Sequence, residues 1–210
     1  MILQREIDGV RLKLSCAENL REAGTSVLEL FRRLYSKQEV AGASVQGKLR
    51  EGAQIRFGWS LLKVMNEGGE LCVGEPDFKR WPAEAWIPHV DTTLEVLTEQ
   101  VRLLRRLGIQ GEDARFDQML FVARGALASG DVFLRRTGSR SEIDSGWVLG
   151  ATADPEALTQ EDGLEAIYLA HLVGDHRALL QGVNLPTDYI ATFKGRALEQ
   201  VFDPQGKPLL

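Results

Sequence analysis

The sequence predicts an α+β protein built as two α+β halves, with mainly antiparallel sheets and packed helices. Three observations carry this. Short stretches of alternating apolar residues, bounded by glycine, asparagine and aspartate, recur from Ile2 to Val73 and again from Phe121 to Phe202. Two segments instead repeat apolar residues at helical spacing, one around Leu20 to Leu34 and one around Leu94 to Leu104. The order is strands, helix, strands, helix, then a strand-rich second half with short helices, which belongs to α+β rather than to regular α/β alternation. Gly111-Glu112-Asp113 reads as a linker. It gives an N-terminal α+β domain of residues 1–110 and a C-terminal domain of residues 111–210.

In chain order, Ile2–Glu6 and Val10–Leu14 are expected strands joined by a hairpin turn at Asp8-Gly9. Ser15-Cys16-Ala17-Glu18 fits a capping box, with Ser15 as N-cap and Glu18 reaching back, opening a helix to about Tyr35. Gly24 within that helix weakens it by about 1 kcal/mol relative to alanine. Ser36–Gly52 reads as a polar loop. Within it, Gly42–Leu49 has a superficial likeness to a phosphate loop. Leu49 stands where a metal-binding hydroxyl is needed and no strong strand precedes, so no nucleotide site is expected.

Ala53–Val64 alternates as strands, with Ile55, Phe57 and Trp59 and then Leu62 and Val64 apolar. Asn66–Gly69 is a hairpin turn and Leu71–Val73 the return strand. Glu75-Pro76-Asp77 ends the meander, because proline cannot donate to a ladder. Its two carboxylates, with His89, are the one candidate for a metal-assisted hydrolase. The plainer reading is a structural turn. Trp81 and Trp86 are expected apolar anchors. Asp91–Leu107 is a helix, with a Thr92-x-x-Glu95 capping box and an apolar stripe of Leu94, Leu97, Val101 and Leu104. Arg102, Arg105 and Arg106 suit the negative end of its dipole, and Gly108 ends it.

The second half opens with Phe121-Val122, a turn over Ala123–Gly130 and a strand over Asp131–Arg136. A polar loop, Thr137–Glu142, leads to Asp144-Ser145-Gly146-Trp147 and an apolar strand. Aspartate and serine bond neighbouring N–H groups, glycine permits a positive φ, and tryptophan needs an apolar site with a partner for its ring N–H. Asp154-Pro155-Glu156 suggests a turn or the start of a short helix. Gly163–Val173 and His176–Leu180 are helix candidates, Tyr189–Phe193 and Leu198–Phe202 are strands, and Asp203–Gly206 is a turn.

Charge is uneven. The net charge is −5, but residues 1–110 hold 16 Lys+Arg against 15 Asp+Glu, while residues 111–210 hold 9 against 15. Between Arg140 and Arg177 there is no lysine or arginine, yet Glu142, Asp144, Asp154, Glu156, Glu161, Asp162, Glu165 and Asp175 all occur. An acidic stretch is ordinarily a solvated face. Read functionally, it docks a basic partner. The balance argues against nucleic acid, which requires positive patches. No apolar run reaches membrane-spanning length, and the first residues lack the pattern of a signal peptide, so a cytoplasmic location is expected. Cys16 and Cys72 read as buried thiols. His89, His171 and His176 have no metal-ligand spacing, and no nucleophile elbow is present, so neither catalysis nor a cofactor is expected.

Val122-Ala123-Arg124-Gly125, Arg135-Arg136 and Asp144-Ser145-Gly146-Trp147 together resemble the signature of a family of bacterial immunity proteins, immunity protein thirty-three and its relatives. Phe57-Gly58-Trp59-Ser60, Gly74–Phe78 and the helix from Asp91 resemble a segment that precedes this domain in some members. Such proteins are encoded beside polymorphic toxins and type VI secretion effectors. The resemblance implies neutralisation of a cognate toxin by direct binding, without catalysis. Combined with the acidic stretch, it points to a toxin with a basic substrate channel, of the nuclease type. Glu142, Asp144, Glu161, Asp162 and Glu165 are then the expected contacts. Trp147, with Ser145 beside it, is either their scaffold or a hot spot, and the ordinary reading of so large an aromatic is a buried anchor. An adaptor for an unrelated basic protein is the remaining alternative.

Overall fold

Apolar alternation over Ile2–Ile7 (β1) and Val10–Ser15 (β2) produces the expected hairpin, turned by Asp8 at φ 48° and Gly9 at φ 79°. In this computed structural model, residues 1–36, 48–80, 85–159, 163–195 and 197–210 are described. Helix α1 follows at Arg21–Tyr35, then β3 at Gln54–Phe57, β4 at Ser60–Glu67, β5 at Glu70–Pro76, β6 at Trp86–Ile87 and helix α2 at Asp91–Leu107. The chain divides into two units, Met1–Thr98 and Glu99–Leu210, with the division inside α2.

The first unit is a six-stranded sheet in the order β1-β2-β5-β4-β3, with β6 added to β5. All its pairs are antiparallel except β2 with β5. Leu12, Leu14, Leu62, Val64 and Val73 join Val27 and Phe31 of α1 in one core. Gly24 lets α1 approach: a methyl group there would lie 2.9 Å from Leu3 Cδ1 and 3.1 Å from Cys16 Sγ. The capping box expected at Ser15 is absent. Ser15 ends β2, and a turn of 3-10 helix, Glu18–Leu20, comes before α1. The Ala17 N–H donates instead to Asp91 Oδ1 at 2.6 Å, and Glu18 pairs with Arg21. Long-range partners supply what local side chains were expected to give. Residues 42–47 of the expected loop and the expected anchor Trp81 lie outside the described residues.

The second unit begins in α2. It continues with β7 at Met119–Ala123, β8 at Asp131–Arg136, β9 at Asp144–Ala151, β10 at Leu164–Tyr168, β11 at Ile190–Lys194 and β12 at Ala197–Phe202. Its sheet runs β10-β7-β9-β8-β11-β12, antiparallel except for β7 with β9. The turn after β7 therefore does not close a hairpin, because β9 inserts between β7 and β8. Such a link must cross two strand spacings, roughly 10 Å, within reach of the seven residues 124–130. The helix expected over Gly163–Val173 is instead β10 followed by a turn of 3-10 helix, Leu169–Val173. His176–Leu180 falls in another such turn, Arg177–Gly182. Gly108, at φ 66°, ends α2 as expected: its N–H reaches Arg105 O and that of Ile109 reaches Leu104 O. Among the described residues no helix is long and apolar enough to cross a membrane.

Candidate functional site

The stretch that carries the sequence signature folds into a closed hydrogen-bond network at the start of β9. Asp144 Oδ1 accepts the Gly146 N–H at 2.7 Å, and Oδ2 accepts the Arg140 N–H at 2.9 Å. Ser145 Oγ donates to the Met119 carbonyl at 2.6 Å and accepts the Trp147 N–H at 3.3 Å, tying β9 to β7. Gly146 sits at φ 76°. A methyl group there would meet the Gly138 carbonyl carbon at 2.7 Å and the Ser139 nitrogen at 2.8 Å, so no other residue fits. Trp147 is fully buried and its Nε1–H donates to Val183 O at 2.8 Å.

Arg136 lies opposite Trp147 in the β8–β9 register, its guanidinium carbon 5.6 Å from the indole centroid. It is 5% exposed. Nη1 donates to Glu112 O at 2.9 Å and Leu185 O at 2.8 Å, and Nη2 to Asp113 O at 2.9 Å. Burial lowers its pKa, while the Glu112 and Asp113 carboxylates act in the opposite sense. One charged side chain thus holds the segment at 112–113 and the turn at Leu185 against the sheet. The sequence reading placed Arg136 in the family signature without a structural role. The available signal was its spacing: Val132, Leu134 and Arg136 share one face of β8.

The structure separates the seven expected contact residues. Asp144, Ser145 and Trp147 are 6%, 1% and 0% exposed. Their polar atoms are hydrogen-bonded within the fold, and the Asp144 carboxylate bonds two backbone N–H groups. Burial follows from β9 being a central strand whose polar groups must find internal partners. Glu142 is exposed beside the start of β7, where its carbonyl accepts from Arg115 and Gln118. Glu165 is exposed on β10 opposite Val122, toward the other end of β7, with Arg124 Nε 3.8 Å from its carboxylate. Glu161 and Asp162 lie outside the described residues. Asp154, Glu156 and Asp175 are exposed.

Glu75, Asp77 and His89 do not assemble as a catalytic set. Glu75 is fully buried, and its carboxylate accepts the N–H groups of Thr92 at 3.1 Å and Thr93 at 2.7 Å, capping the first turn of α2. Burial raises its pKa, opposed by the hydrogen bonds from Thr93 and Thr92. Asp77 Oδ1 accepts the Lys79 N–H and Oδ2 faces Arg80, so it serves its own turn. His89 Nδ1 stands 3.6 Å from Glu75 and 3.5 Å from Asp91. Among the described residues no three His, Cys, Asp or Glu side chains are grouped as a metal site.

The fold is α+β in two units, and the signature residues Asp144, Ser145 and Trp147 are buried within the second. Residues 99–204 match the family model of the Imm33-like domain, so the chain belongs to that family of immunity proteins, which implies a toxin as partner. Comparison with curated proteins and with solved structures gave no match.

Proposed function

We propose that this protein neutralises a cognate antibacterial toxin, of the nuclease type, by binding it and occluding its active domain without catalysis. The observation that carries the mechanism is the exposure of Glu142, Asp154, Glu156, Glu165 and Asp175 in a stretch with no lysine or arginine between Arg140 and Arg177. Exposed carboxylates of one sign raise the encounter rate with a basic surface and mimic the phosphates of its substrate. Glu142 and Glu165 are the contacts expected of these carboxylates, with Glu161 and Asp162 beside them in sequence. Type VI secretion and bacterial competition are the setting in which such a partner is delivered.

The test is to purify the protein with the toxin domain encoded beside its gene and titrate affinity against salt. Reversing Glu142 and Glu165 to lysine is expected to weaken binding by about tenfold or more and to flatten the salt dependence. Unchanged affinity in the double reversal would remove the acidic surface as the contact while leaving toxin binding in place.

A further inference from the structure

The two faces of the second sheet are unequal. On one face, Val122, Leu149, Leu134, Ala191 and Val201 stand in register across five strands, at 3%, 0%, 0%, 0% and 0% exposed. On the other, the row one residue along is Ala166, Phe121, Val148, Arg135, Ile190 and Phe202. Ala166 and Arg135 are exposed and the remaining four are half-buried. The outward face of a largely antiparallel sheet is ordinarily polar. Here this row is apolar, with an arginine at its centre.

Part of this face is covered by the chain itself. The Phe133 ring lies against Gly150, and Leu158 approaches the same glycine. Beside Phe121 and Val148 a hollow of about 100 Å³ stays open, lined also by Leu164, Thr137 and Arg140. Its surface is mainly carbon. Among the described residues the one carboxylate at its wall is Asp144, which is bonded to two backbone N–H groups. Arg135 and Arg140 are exposed, and among the described residues neither has a carboxylate partner. An apolar face of this kind marks an interaction surface, and unpaired arginines beside an apolar pocket select a carboxylate next to an aliphatic group.

We propose that this hollow, with Arg140 at its wall and Arg135 opposite Val148 on the same face, receives a segment of the toxin that carries an aliphatic side chain next to an Asp or Glu. This rests on the reading of the protein as a toxin-binding immunity protein, and it adds an apolar, arginine-bearing contact to the acidic one. The experiment measures binding of the toxin domain encoded beside this gene to the wild type, Leu164→Asp and Arg140→Glu, with thermal unfolding as a fold control. Hydrogen exchange of the wild-type protein is followed alone and in the complex. Each variant is expected to bind at least about tenfold more weakly. Amides around β7, β9 and β10 are expected to gain protection in the complex. Wild-type binding that both variants retain, or a complex without protection there, overturns this surface and leaves the toxin reading standing. Absence of wild-type binding removes the toxin reading and this surface with it. A wild-type dimer that Leu164→Asp dissociates would give the face to a second copy and likewise overturn the proposal.

Discussion

At Gly146 a single hydrogen atom decides whether β9 can start. A methyl group would sit within 2.8 Å of the backbone at Gly138 and Ser139, on a residue held at φ 76°. Gly125 has the same backbone demand, φ 80°, with nothing within 4 Å. Gly125→Ala is therefore expected to cost about 1 kcal/mol, for the left-handed conformation alone. Gly146→Ala should cost more than about 2 kcal/mol, because backbone cannot move aside as a side-chain tip can. Urea unfolding of the two variants checks this, and equal losses would show that packing around Gly146 is slack. The turn character of Asp144-Ser145-Gly146 was legible in the sequence, since those residue types bond their own backbone. The place of Arg136 was not, because its partners at 112–113 and 185 are remote in sequence.

Helix α2 shows what is local and what is not at the scale of an element. Its bounds were legible from apolar spacing and from Gly108. Its cap was not, because Glu75 reaches the first turn from the end of β5. The apolar stripe also differs in detail: Leu94, Val96 and Leu103 are buried while Leu97, Val101 and Leu104 are half-buried. Burial lifts the Glu75 carboxyl above its usual value of 4.5. The native state then keeps its proton to a higher pH than the unfolded chain does. The stability this contributes is fully present below the unfolded value and is lost as pH rises through the folded one. Glu75→Gln cannot titrate, so the stability of the wild type relative to this variant is expected to fall as pH rises from 4.5 through the raised value and then level off. Urea midpoints measured across pH for both proteins test this, and parallel curves would refute it. Leu164, Ile167, Tyr168 and Leu172 fall at helical spacing, which predicts a helix where β10 forms. Its place at the edge of the sheet, set by pairing with β7, decided otherwise.

For the whole molecule, the linker expected at Gly111 and the division at Thr98 and Glu99 make different predictions about which piece folds. The C-terminal half of α2 belongs to the second unit: Gln100 Nε2 donates to Leu180 O at 2.9 Å, and Leu103 is 6% exposed. Losing that bond and that burial costs roughly 3 kcal/mol. A fragment of residues 91–210 is expected to unfold cooperatively by circular dichroism. One of residues 111–210 should melt far lower or without a transition. Equal melting would place the working boundary at the linker. The sequence by itself determined the α+β class, most strand positions, the end of α1, the extent of α2 and the family signature, because periodicity, turn residues and helix-stop glycines act within a few residues of themselves. Only the tertiary structure decided that β9 separates β7 from β8, that Glu75 caps α2, and that Asp144, Ser145 and Trp147 are buried. Those outcomes depend on which distant backbone groups need a partner once the sheets have formed, and local spacing carries no record of that.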